Sequence, residues 1–150
     1  MNKNIYKINR EKALDKIKDN SIAILFAGKS IKKTGDQHYP FTPNRNFYYL
    51  TGLKEEEHIL VMSKINGVKN SCLYIKDIDS EMEKWIGKSI RKDEALELTG
   101  TEEVKFKSAF DSDIHRLISM TEEINIYLDL ERNSVKSEGV IGHKFARNII

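Results

Sequence analysis

The chain has 150 residues, 39% of them hydrophobic and 32% charged, which suits one domain with a core and a strongly charged surface. Its 25 basic and 23 acidic side chains leave a formal net charge of +2, and the two signs are interspersed, which excludes the clustered positive charge of a nucleic-acid interface. One cysteine, Cys72, excludes an internal disulfide, and no apolar run approaches the ~18–20 residues that cross a bilayer, so the composition predicts a soluble, cytoplasmic protein in a reducing compartment, with no membrane partner.

Residues 8–18 carry Ala13, Leu14 and Ile17 on one face and charge on the other, which predicts an amphipathic helix with Asn9 as its N-cap. The short apolar run 22–27, bounded by Gly28, reads as a strand buried on both faces. Residues 29–37 read as a polar loop. Two further apolar runs, 58–63 and 71–76, flank Asn66-Gly67, a tight-turn pair, and so predict an antiparallel hairpin. Ser80 and Glu83 have the spacing of a capping box that opens a short helix closed by Gly87. Another short helix is expected at 93–99, ended by Gly100, then a brief strand at 104–106. A helix around Ile114, Leu117 and Ile118, a strand at 124–129 and a last helix from Ser137 to Asn148 complete the series. This order predicts an α/β or α+β sandwich around a mixed sheet.

Residues 38–52 stand out. They hold five aromatic rings, both prolines of the chain and a closing glycine. Pro40 and Pro43 bar a helix from running through them, and buried rings remove roughly 150–250 Å² each from water. The segment reads either as a core plug or as a shaped surface. Catalytic constellations are otherwise missing. The four histidines, His38, His58, His115 and His143, show no metal-ligand spacing, and there is no nucleophile elbow or phosphate loop. Glu55, Glu56 and Glu57 read as a solvated turn or helix start, and Asp77 and Asp79 as turn residues. Asp36 and His38 gain weight from the aromatic segment beside them. Trp85, the only tryptophan, reads as core, or as part of an interface or pocket that uses its flat face and N–H together.

These residues resemble a known family. Asp36, Tyr39-Pro40-Phe41 and the run from Asn46 through Phe47, Tyr48, Tyr49, Leu50 and Thr51 to Gly52 are similar to the signature of the N-terminal domain of Xaa-Pro aminopeptidases (aminopeptidase P). Glu81, Lys84, Trp85 and Gly87 resemble the family's Trp-x-Gly segment, and Glu94-Ala95 with Thr99-Gly100 its glycine-ended helix. The likeness runs from about Ile8 to about Val104. It departs at Thr42-Pro43, Arg45-Asn46 and Lys88-Ser89, where related sequences carry other polar residues.

The resemblance implies a ribonuclease-H-like α/β fold, a mixed sheet of about five to six strands flanked by helices, with residues 1–150 as one N-terminal domain. It implies a longer parent whose pita-bread catalytic domain lies outside this chain and holds two Mn²⁺ or similar ions, with no metal bound and no catalytic residue supplied here. The implied partners are that catalytic domain, further copies in a homodimer or homotetramer, and a peptide substrate. Asp36, His38, Tyr39 and Trp85 are implied as substrate-pocket or interface residues. The expected function is to shape substrate access and oligomer contacts for removal of the N-terminal residue before proline. A prolidase or creatinase-type parent and a stand-alone scaffolding module are the alternatives. A nuclease is disfavoured because the predicted strands hold almost no carboxylates.

Overall fold

A computed structural model describes residues 3–29, 32–34, 37–38 and 43–129. Its centre is a five-stranded mixed sheet ordered β6-β5-β4-β1-β7, formed by β1 (Ser21–Phe26), β4 (Ile59–Ile65), β5 (Val68–Ile75), β6 (Glu103–Phe106) and β7 (Asn125–Leu128). β1, β4 and β5 pair antiparallel, while β6 lies parallel to β5 and β7 parallel to β1. The expected α/β class and strand number therefore hold.

The continuous apolar runs explain why β1, β4 and β5 occupy the middle. Side chains alternate across a strand, and every residue of β1 is buried. Ala23, Leu25, Leu60, Met62, Leu73 and Ile75 fill one face. Ile22, Ile24, Phe26, Val61, Cys72 and Tyr74 fill the other. The hairpin turns at Asn66 and Gly67, both with positive φ (50° and 76°), as a two-residue loop matching strand twist requires. Asp19 and Asn20 side chains accept from the backbone N–H groups of Gly67 and Asn66 at 2.9 and 3.0 Å. Cys72 is buried as expected, and that burial pushes its thiol up to about 11.

Helices α1 (Lys3–Lys16), α2 (Arg45–Thr51) and α4 (Lys92–Thr99) serve the first face, and α5 (Phe110–Ser119) the second. α1 begins well before residue 8, so Asn9 is no N-cap. It lies inside the helix, buried, and donates to the Tyr49 carbonyl at 2.9 Å. The next residue, Arg10, donates from Nη1 to the Leu50 carbonyl at 2.8 Å. The buried stripe of α1 thus reads Tyr6, Asn9, Arg10 and Leu14. Ile5 and Ile8 face outward. Two polar members hide that stripe from a hydropathy pattern.

The second departure is α2, which the proline argument left unassigned. Pro43 stops a helix only up to itself. Asn44 then caps the new one, its Oδ1 accepting from the N–H of Asn46 and Phe47 at 2.9 and 3.0 Å, and Gly52 ends it in the left-handed region. The polar stretch before it is not wholly a loop, since β2 (Lys32–Thr34) and β3 (Gln37–His38) form a small antiparallel ribbon.

α3 (Ser80–Ile86) closes at Gly87 as expected, but its cap is Asp79, not Ser80. Asp79 Oδ1 accepts from the N–H of Glu81 and Met82 at 3.0 and 3.3 Å. Glu83, freed from a capping box, accepts from Arg91 Nη2 at 2.9 Å and ties α3 to the start of α4. Removing the Asp79 carboxylate (Asp79→Ala) should cost about 1 kcal/mol, read as a lower urea midpoint. Ser80→Ala should leave that midpoint nearly unchanged. The last helix expected at 137–148, with His143, lies outside the described residues.

On the second face, Asp113 of α5 joins two strands. Tyr74 donates its hydroxyl to Asp113 Oδ2 at 2.7 Å, and Lys105 Nζ reaches the same oxygen at 2.8 Å. Burial pushes the Asp113 carboxyl up. The Lys105 and Tyr74 bonds and the nearby positive charges outweigh it, and the group ends below its ordinary value. A depressed carboxylate stabilises the fold above its unfolded pKa of about 3.9 and loses that contribution as pH falls through the folded value. Urea unfolding of Asp113→Asn should therefore show a weaker loss of stability below about pH 4 than the parent does.

Candidate functional site

The segments carrying the four nominated residues follow strands that finish at the same end of the sheet. Phe26, the end of β1, pairs with Ile59, the start of β4, and Ile59 pairs with Tyr74 near the end of β5. Beyond β1 runs the stretch with Asp36, His38 and Tyr39. Beyond β5 runs α3 with Trp85.

The first stretch is closed at its base. Asn44 N–H donates to the Ala27 carbonyl at 3.0 Å, Ala27 N–H to the His58 carbonyl at 2.9 Å, and Glu57 N–H to the Gly28 carbonyl at 2.8 Å. Ala27 and Asn44, which bracket this stretch, therefore meet at one point. Of the nominated residues in it, Asp36 and Tyr39 lie outside the described residues. Only the backbone of His38 is described, paired with Lys32 in the β2–β3 ribbon.

Trp85 is placed clearly, and the core reading for it fails: it is 85% exposed. Met82, one turn earlier at i−3, is also exposed, so α3 turns both apolar side chains outward, and Ile78, just before the helix, is exposed as well. A ring left in water at the end of a short helix contributes little to this domain's own stability. The aromatic segment divides the other way. Phe47 and Leu50 are buried plugs, while Tyr49 is 53% exposed. Tyr49 lines an apolar groove of about 390 Å³ with Ala13, Ile17, Leu25, Met62 and Tyr127.

Sequence reasoning missed the group between the two segments. Glu57 adopts φ 68° and pairs with Lys29 at 3.6 Å and Lys76 at 3.1 Å, so the three glutamates are more than a solvated turn. Burial raises the Glu57 carboxyl, but the Lys76 bond and the charges of Lys76, Lys107 and Lys29 carry it below its usual range. His58 is fully buried beside it. Its Nε2 lies 3.3 Å from Glu55, and its Nδ1 accepts from Lys76 N–H at 3.2 Å. The Glu55 carboxyl is held low, first by that histidine contact. The one sequence signal was a histidine directly before an apolar strand. His115 is exposed and bonds locally to the Asp111 carbonyl.

Among the described residues no group of three or more His, Cys, Asp or Glu side chains could hold a metal ion. No described helix is long and apolar enough to cross a membrane. The arrangement defines an α/β domain in which the stretch after β1 and the exposed Trp85 after β5 follow strands that finish at one end of the sheet.

Comparison with known proteins gives the family. Residues 6–127 match the model of the aminopeptidase P N-terminal domain, and the chain belongs to that family. It is 28% identical over 111 residues to the Xaa-Pro aminopeptidase of Escherichia coli K12, covering 73% of this chain and 25% of that protein. A Bacillus anthracis structure assigned as an aminopeptidase P superposes with a TM-score of 0.90 at 35% identity, covering 99% of this chain and 36% of that one. A zinc-substituted E. coli aminopeptidase P in complex with product gives a TM-score of 0.73 at 25% identity, covering 79% and 27%. The chain thus spans about a quarter to a third of the relatives it matches.

Proposed function

We propose that this chain is the non-catalytic N-terminal part of a cytoplasmic Xaa-Pro aminopeptidase. It shapes substrate access and subunit contacts for a catalytic domain that removes the residue before proline. The observation that carries this reading is the partial coverage: the family match fills most of this chain, yet the chain accounts for only 36% of the B. anthracis protein. Among the described residues no group of three or more His, Cys, Asp or Glu side chains could hold a metal ion; in this reading the two Mn²⁺ ions expected of the parent sit in the catalytic domain, and no chemical step is assigned to this chain.

Its own residues act by contact. Trp85 offers a flat apolar face with an N–H, suited to a proline-containing peptide or to a second subunit. Asp36, His38 and Tyr39 lie in the sequence between β1 and α2, and Asp36 can pair with a substrate amino group or an arginine. The longer gene product should release N-terminal residues from Xaa-Pro peptides when supplied with Mn²⁺, as read by peptide chromatography. Absence of hydrolysis on every Xaa-Pro peptide tried would contradict the proposal. Cleavage of Xaa-Pro dipeptides alone would point to a prolidase instead.

A further inference from the structure

Asn66-Gly67, the turn between β4 and β5, is the only Asn-Gly pair in the chain, and the pair has a reaction of its own. The backbone nitrogen that follows an asparagine can attack the side-chain carbonyl carbon. Glycine hinders this least, because no Cβ crowds its nitrogen. The new N–Cγ bond closes a five-membered succinimide ring. The bond from Cγ to the side-chain nitrogen breaks, and that NH₂ group leaves as ammonia with the proton of the attacking N–H. Water then opens the ring to aspartate or isoaspartate. Water is the only other reactant, and nothing is oxidised or reduced.

The fold exposes the pair and restrains it. Both residues are exposed, so water reaches them. The attacking group, however, is engaged: Gly67 N–H donates to Asp19 Oδ1 at 2.9 Å, and Asn66 N–H beside it donates to Asn20 Oδ1 at 3.0 Å. These acceptors are fastened by bonds outside the turn. The Asn20 carbonyl accepts from Asn125 N–H at the start of β7 at 2.9 Å. Lys64 of β4 donates to the Leu14 and Ile17 carbonyls at the close of α1 at 3.2 and 3.3 Å. The Asp19 oxygen does not start the reaction, since a carboxylate is far too weak a base to take a backbone amide proton. It stabilises the N–H form of Gly67, and its charge opposes the amide anion that would attack.

We propose that Asn66-Gly67 is a site of spontaneous deamidation and that Asp19 is the positioning residue that holds it in check. Isoaspartate at position 66 adds one carbon to the main chain of a two-residue turn. The strands on either side pair from Ile65 and Val68 onward, and a lengthened turn no longer matches their twist. The loop between α1 and β1 thereby guards the register of β4 on β5.

The test is prolonged incubation of the 150-residue chain at mildly alkaline pH, with site-resolved mass spectrometry of residue 66. The native chain should deamidate there at least about tenfold more slowly than the same chain in guanidinium chloride, because the turn must open first. Asp19→Ala should raise the native rate about fivefold, the equivalent of one ordinary hydrogen bond. Asp19→Asn keeps an acceptor and loses the charge, and should raise the rate by less. Asp15→Ala removes a nearby carboxylate that pairs with Lys69 instead of the turn, and should leave the native rate unchanged. An Asp19→Ala rate equal to the parent's overturns the proposal. A slower rate overturns it too, since the carboxylate would then be assisting the attack. If Asp19→Ala fails to fold, Asp19→Asn and hydrogen exchange of the parent decide: an unprotected Gly67 amide, or an Asp19→Asn rate no higher than the parent's, overturns the proposal.

Discussion

Phe47→Ala should lower the unfolding free energy by about 3–5 kcal/mol, the cost of emptying a large buried aromatic site, whereas Trp85→Ala should change it by less than about 0.5 kcal/mol. Both rings fall within the stretches that resemble the family signature, yet their settings are opposite. Phe47 is fully buried among Leu14, Leu25, Leu50 and Leu60 on the α1 side of the sheet. Trp85 is 85% exposed. The pair separates a ring that holds the domain together from one left exposed on its surface. Equilibrium urea unfolding of the two variants measures the first half. The second half is a fall in hydrolysis of Xaa-Pro peptides by the longer protein carrying Trp85→Ala, with its unfolding midpoint unchanged. A Trp85 variant as destabilised as Phe47→Ala would mean that the tryptophan is core after all.

Gly52→Ala should cost about 2–4 kcal/mol, more than the ~1 kcal/mol typical of an unfavourable glycine replacement. Two penalties combine. The residue sits at φ 76°, where an L side chain is strained. A Cβ there would also overlap the ring of Tyr6, with the hydroxyl oxygen only 2.8 Å away. Tyr6 has little room to yield, since it is buried in the α1–α2 contact and hydrogen-bonded to the Tyr48 side chain. Shortening that residue (Tyr6→Ala) removes the overlap and leaves the strain. In the double variant, Gly52→Ala should then cost only about 1–2 kcal/mol more than Tyr6→Ala alone. Full additivity would place the whole penalty in the backbone.

The central sheet was legible because its information is local. Three apolar runs and the Asn66-Gly67 turn specify β1, β4 and β5 without help from the rest of the chain. The glycines after α3 and α4 marked helix ends for the same reason. What escaped depends on contacts between residues far apart in sequence. Asn9 and Arg10 look like surface polars until the carbonyls of Tyr49 and Leu50, some 40 residues on, are brought to them. α2 is only seven residues long and follows a proline, so its caps and its packing on α1 define it more than its pattern does.

The site was half legible. Its residue types stood out by composition, and the shared end of the sheet gives a physical reason for grouping the β1 and β5 exits. The junction that joins them did not stand out. Glu57 and His58 gain meaning only when Gly28 and Lys29 from the end of β1 and Lys76 from the end of β5 converge on them. A buried histidine and a carboxylate between two lysines carry no motif. Trp85 is the reverse case: residue type left core and interface both open, and its position on a short helix decided exposure.

Mn²⁺ titration of the purified 150-residue chain by calorimetry, followed by incubation with an Xaa-Pro peptide, bears most directly on whether this domain only builds walls for chemistry done elsewhere. The expected result is no stoichiometric high-affinity binding and no cleavage, with cleavage appearing once the longer gene product is used. Tight binding of the ion together with turnover by the 150 residues alone would contradict the account.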